Sequence, residues 1–236
     1  MKKYYLLRLS SEEKFSAFGS SQAEISENKF KDKNNFKLLM EALGSNRYWQ
    51  IQSEINSDFP INLERVELLE GATQTDGLEF SPKLINCPFL ISEKFKNILD
   101  QFNTENISFF KTMVFNGNVE YFKYYLMHIK RLDDGIIDFK KSTFYFENEL
   151  HGKGIKTFKN VTEMKDFFYE NVGTDYGSIY LEKNKLTNLD IFCLGSGELV
   201  ISEKLQQEIT NQELLGLNIL PGIKGVRAEL NSSGMC

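Results

Sequence analysis

The chain has 236 residues, 41% of them apolar and 26% charged, with four prolines. That balance is enough to bury a sizeable core, and it excludes a disordered tail, a collagen-like fibre and a disulfide scaffold. The 33 acids and 28 bases sum to −5, the wrong sign for displacing counterions from nucleic-acid phosphates.

No apolar run reaches the ~20 residues of a membrane helix. The apolar stretch after Met1-Lys2-Lys3 is cut off by Arg8, short of the about 7–15 residues of a secretory signal. A cytoplasmic protein follows, with no membrane and no nucleic-acid partner.

In chain order, Tyr4 to Leu9 reads as a first strand, and the polar residues 10–33 as a long connection with room for a short helix. Phe36, Leu39, Met40 and Leu43 fall on one helical stripe, with Gly44 as its C-cap. Arg47 to Ile51, around the only tryptophan, is expected as a strand. Cys87 to Ile91 reads as a buried strand; Ser92 then caps a helix, and Glu93 favours its dipole. Phe95, Ile98, Leu99 and Phe102 line the inner face of that helix.

Ile107 to Phe115 and Val119 to Ile129 flank Asn116-Gly117, which predicts a hairpin closed by a type I′ turn. Alternation puts Phe109, Met113 and Phe115 on one face and Phe110 and Val114 on the other. Both faces are therefore covered, by core on two sides or by core on one and a partner on the other. Thr143 to Phe146 is a further strand. Asn160 to Gly173 is a helix that opens with an Asn160/Glu163 capping box. Ser178 to Glu182 and Leu189 to Leu194 are short strands, and Val200 begins another strand-to-helix transition.

Ile91-Ser92-Glu93-Lys94 recurs 110 residues later as Ile201-Ser202-Glu203-Lys204, with a gap-free apolar match on both sides. The expected class is α+β, with mixed or antiparallel sheets, a few packed helices and a repeated strand–helix–strand unit. The chain is read as a region 1–80 that either forms its own lobe or completes one sheet with the rest, a domain 81–228 and a flexible tail 229–236.

The charge is uneven. Between Glu54 and Glu79 lie seven acids and one base, Arg65. This is either a solvated face or a docking surface for a basic partner. Cys87, Cys193 and Cys236 are far apart and form no Cys-x-x-Cys, so neither a zinc site nor a disulfide framework is expected. The only histidines, His128 and His151, have no metal-ligand spacing. Gly195-Ser196-Gly197 lacks the lysine of a phosphate loop, and no cofactor is implied. The densest polar segment runs from Arg131 to Ser142. Its Asp133, Asp134 and Asp138 are compatible with a metal-assisted hydrolase or, more simply, with turns and caps.

Four segments together resemble an immunity-protein family of bacterial polymorphic toxin systems, first catalogued as a domain of unknown function. They are Pro88 to Phe95, Tyr124 to Ile129, Leu132 to Ser142, and Asp190-Ile191-Phe192 with Ile201 to Lys204. The resemblance covers roughly residues 60–222. It implies a cytoplasmic protein that binds and neutralises a cognate protein toxin, encoded by an adjacent gene, by stoichiometric occlusion and without catalysis. It carries over no catalytic residue.

The candidate contact residues are Glu64, Glu67, Glu70 and Asp76 of the acidic stretch and Tyr121, Tyr124 and Tyr125 of the hairpin. Ser92, Glu93, Lys94, Asp133, Asp138, Ser142 and Ser202 belong to the shared motifs with no role attached. The alternatives are the hydrolase using Asp133, Asp134 and Asp138, and a general peptide- or ligand-binding module. Oligomeric state and stoichiometry are not legible.

Overall fold

A computed structural model describes residues 4–10, 21–117, 120–148, 152–171, 174–176, 179–181, 188–195, 197–220 and 229–230. In chain order the strands are β1 (Tyr4–Leu9), β2 (Ala23–Glu24), β3 (Val66–Leu68), β4 (Gly77–Leu78), β5 (Phe80–Ser81), β6 (Leu90–Ser92), β7 (Ile107–Asn116) and β8 (Glu120–Ile129). Then follow β9 (Phe144–Asn148), β10 (Gly152–Lys156), β11 (Thr174–Tyr176), β12 (Tyr180–Leu181), β13 (Ile191–Cys193), β14 (Leu199–Ser202), β15 (Leu217–Leu220) and β16 (Glu229–Leu230). The helices are α1 (Lys33–Leu43), α2 (Tyr48–Ile51), α3 (Glu93–Leu99), α4 (Val161–Glu170) and α5 (Glu203–Asn211). With antiparallel and mixed sheets, the class is α+β.

The chain divides into two compact units. One holds Arg8–Lys130 and Glu208–Asn218; the other holds Met1–Leu7, Arg131–Gln207 and Ile219–Cys236. Residues on either side of position 80 therefore share a unit, because β3 pairs parallel with β7 and β4 antiparallel with β6.

In the Arg8–Lys130 unit, the sheet order is β4-β6-β8-β7-β3-β2-β5. Its core gathers Leu39 and Leu43 of α1 with Val66, Phe80, Leu90, Phe110, Val114 and Leu126. The α1 stripe works as its spacing predicts: Leu39 and Leu43 are fully buried, Phe36 and Met40 pack at the edge, and Asp32 caps the first turn by accepting from Asn34 N. Burying each leucine contributes about 1.5–3 kcal/mol.

The other unit has its own core, built from Tyr4, Leu6, Ile136, Ile137, Phe139, Phe144, Phe158, Ile179, Leu189, Phe192 and Val200. Phe144 lies at its centre, in ring contact with Phe139, Phe158 and Phe168. The four-stranded sheet here runs β13-β14-β1-β15.

Its registers parallel those of β4-β6-β8. Leu90, Ile91 and Ser92 face Leu126, Tyr125 and Tyr124; Val200, Ile201 and Ser202 face Leu6, Tyr5 and Tyr4. Likewise Gly77 and Leu78 pair with Ile91 and Leu90, as Ile191 and Phe192 pair with Ile201 and Val200.

Several expectations are corrected. Arg47–Ile51 is not a strand: Tyr48–Ile51 forms one helical turn, with Tyr48 buried and Trp49 52% exposed. Four residues are too few to separate a period of 2 from one of 3.6. The strand placed at Cys87–Ile91 begins only at Leu90, after a Leu84↔Cys87 bridge. The hairpin is real, but Asn116 pairs with Glu120, so Asn116 and Gly117 are not the two central residues of a type I′ turn. Gly117 takes the positive φ (64°) that the connection requires. The acidic stretch, read as a solvated face or a docking surface, contributes β3 and β4 to the sheet.

Candidate functional site

Of the acidic candidates, three are tied into the fold. Glu64 accepts from the backbone N–H groups of Lys31 (2.7 Å) and Asp32 (3.4 Å) and from the Asn35 amide (2.5 Å). These donors, the Asn35 amide foremost, hold its carboxyl below the ordinary value. Glu67 sits between Arg65 and Lys29 (3.4 Å), its side chain only 13% exposed. Asp76 accepts from Ser92 Oγ at 2.5 Å and from Leu215 N at 2.8 Å. Glu70 alone of the four is exposed.

Tyr124 does not belong to a contact surface: it is 1% exposed, and its hydroxyl donates to the Thr75 carbonyl at 2.6 Å. Burial pushes its pKa up. Tyr125 is half-buried on the opposite face of β8. Tyr121 stands opposite Phe115 in the register, and its side chain lies outside the described residues.

The motif residues serve caps and clasps. Ser92 Oγ accepts from Phe95 N at 3.1 Å, capping α3, while donating to Asp76; Ser92 N also donates to the Asp76 carbonyl at 2.9 Å. The same three bonds recur at Ser202. Its Oγ donates to Asp190 at 2.7 Å and accepts from Leu205 N at 3.3 Å, and its N–H donates to the Asp190 carbonyl at 2.8 Å. Each serine thus fastens a helix start to the neighbouring strand. Glu93 pairs with Lys123 at 3.3 Å, and Lys94 Nζ donates to the Gln212 carbonyl at 2.7 Å.

The Arg131–Ser142 segment builds its unit rather than a cluster. Asp133 accepts from Gly135 N at 2.7 Å, starting a 3-10 turn over Asp134–Ile136. Asp134, buried, accepts from Gly195 N at 3.0 Å with Lys165 at 3.8 Å. Arg131 donates to the Gly195 carbonyl at 2.9 Å from the other side. The Gly195 turn is thus gripped by both ends of an Arg–Asp pair of residues, and a Cβ there would sit 2.2 Å from Asp134 Oδ2. Asp138 accepts from Lys140 N at 3.2 Å, and Ser142 Oγ accepts from Tyr180 N at 2.9 Å. Among the described residues no group of three or more His, Cys, Asp or Glu side chains is placed to hold a metal ion. The thiols of Cys87 and Cys193 are buried, and burial raises both, that of Cys193 to about 11. Cys236 and His151 lie outside the described residues.

One arrangement escaped sequence reasoning, and a second was legible only in part. The first is internal: His128, wholly buried, meets the Tyr48 hydroxyl through Nε2 at 3.1 Å, and Asn86 Nδ2 donates to that hydroxyl at 2.5 Å. Burial, with Lys130 adding repulsion, drops the His128 pKa to about 4. No local spacing announces it, since the three residues come from distant segments.

The second is the outer face of the β7–β8 hairpin. The face carrying Phe110, Thr112, Val114, Tyr124 and Leu126 is buried. The opposite face carries Phe109, Met113, Phe115 and Tyr125, all partly exposed, between exposed Lys111 and Lys123, with Met127 buried at its end. Lys96 of α3 lies 4.4 Å over the Phe109 ring and 5.8 Å over Tyr125, and Arg65 lies 3.9 Å over Phe115. Strand alternation had already placed Phe109, Met113 and Phe115 together. Only packing shows that core covers the other side.

What the described residues define is an α+β protein of two units whose motif serines and carboxylates are engaged in its own turns, caps and strand clasps. A sequence model of the family described as Immunity protein family (Imm11) matches residues 29–224. The chain belongs to that immunity-protein family. No curated protein matches it. Among the described residues no helix is long and apolar enough to cross a membrane.

Proposed function

We propose that this protein is the antidote of a bacterial polymorphic toxin system, binding one cognate toxin in the cytoplasm of the producing cell. It neutralises the toxin by stoichiometric occlusion and performs no chemistry. The observation that carries this reading is the family match across residues 29–224. The engagement of Asp133, Asp134 and Asp138 with backbone amides supports it, because these carboxylates act as cap and turn acceptors. A stable antidote complex buries about 1,200–2,000 Å² in total, well within what a chain of this size can present.

The test is co-expression with the toxin encoded beside this chain's gene. A one-to-one complex on size-exclusion chromatography, together with restored growth of toxin-expressing cells, is the expected result. Growth that stays arrested, with the two proteins eluting separately, overturns the reading.

A further inference from the structure

We infer that the outer face of the β7–β8 hairpin is the docking surface, and that its partner presents an acidic rim around an apolar projection. The inference rests on the toxin-binding reading above and adds where, and to what kind of surface, the toxin binds.

The face combines three properties. Its centre is apolar and partly exposed: Phe109, Met113, Phe115 and Tyr125 point away from the buried Phe110, Thr112, Val114, Tyr124 and Leu126, while Met127 on their own face is buried. Aromatic residues and Met are the types enriched in interface cores. Its rings are held in place before any partner arrives, Phe109 and Tyr125 by the Lys96 ammonium and Phe115 by the Arg65 guanidinium. Side chains rooted on paired strands and braced in this way lose little freedom on binding, which favours affinity.

Its charge is also opposite to that of the whole protein. Arg65, Lys96, Lys111 and Lys123 have three acidic partners, Glu67, Asp100 and Glu93, which leaves one positive charge in excess. The whole chain carries −5. The excess resides on Lys111, which is exposed and has no ion pair among the described residues. Lys123, the exposed cation across the hairpin, shares Glu93 at 3.3 Å with 51% of its side chain in solvent. A cationic, aromatic face complements an acidic partner and repels a basic one. The acidic stretch is the weaker candidate, because Glu64, Glu67 and Asp76 already accept from the chain itself.

The experiment measures binding kinetics of the toxin encoded beside this chain's gene against three variants, each first checked for unchanged circular dichroism and melting. They are the double variant Lys111→Glu/Lys123→Glu, Met113→Asp at the centre of the face, and Glu70→Lys as the control in the acidic stretch. The double variant should associate about tenfold more slowly at low salt, with the difference shrinking toward ~0.5 M salt. Met113→Asp should weaken the complex by ~30-fold or more, as loss of a central anchor does. Glu70→Lys should bind like the parent.

Parent-like binding by both hairpin variants overturns the inference while leaving the toxin reading intact, and so does a loss confined to Glu70→Lys. A homodimer of the parent chain that the double variant dissolves also overturns it, assigning the face to a second copy. Absence of any complex with the parent chain refutes the toxin reading itself, and the inference falls with it.

Discussion

Acidification should destabilise this protein through His128 before its bulk carboxylates titrate. The imidazole is fully buried, its Nε2 faces the Tyr48 hydroxyl, and its pKa lies at about 4 against an ordinary 6.5. With Asn86 Nδ2 donating to the Tyr48 oxygen, Nε2 of the neutral ring is placed to accept the Tyr48 hydroxyl proton. Protonating Nε2 would set two donors against each other.

The folded-state pKa is below the unfolded one, so between pH 6.5 and about 4 the unfolded chain binds the proton first. The stability contribution is complete above pH 6.5 and is lost as pH falls toward 4. The span is about 2.5 pH units, or about 3 kcal/mol at 1.36 kcal/mol per unit, of which ~2 kcal/mol is gone by pH 5. That is a large share of the 5–15 kcal/mol typical of a folded domain.

Urea denaturation at pH 7.5, 6, 5 and 4 measures the loss. The same series on His128→Phe isolates it, because the variant keeps a buried ring but cannot titrate. The variant will be less stable at pH 7.5, since Tyr48 loses its acceptor, and its curve should be flatter by ~3 kcal/mol over this range. Identical pH slopes for parent and variant would refute the argument.

Three further outcomes are expected. Ser92→Ala and Ser202→Ala each remove a helix cap and a strand clasp together, so each should cost about 1–3 kcal/mol in chemical denaturation. Gly195→Ala drives a Cβ into the Asp134 carboxylate and should cost ~1–3 kcal/mol, measured as a lowered melting temperature. Cys87 and Cys193, buried with raised thiol pKa values, should resist alkylation in the native protein and react on denaturation, as mass spectrometry of digested samples would show.

Local patterns were legible without the fold. The α1 stripe with Gly44 at its end, the Ser92 and Asn160 caps, and the pairing of Ile107–Asn116 with Glu120–Ile129 each depend on residues within about twenty positions. The immunity-protein family was legible too, since the shared segments are short strings that need no packing to recognise. Tyr48–Ile51 was misread because a single turn has no period to detect.

The roles of the polar residues were not legible, and the reason is distance along the chain. Glu64, read as a partner-contact candidate, finds its donors about thirty residues upstream, and Asp76 finds one at Leu215. Tyr124 and Tyr125 are neighbours of identical chemistry, yet one is core and the other surface, because a strand sends successive side chains to opposite faces. The chain's own pattern determines that the β7–β8 hairpin has two unlike faces. Only tertiary packing, which lays the α1 core against one and braces the other with Lys96 and Arg65, decides which face remains available to a partner.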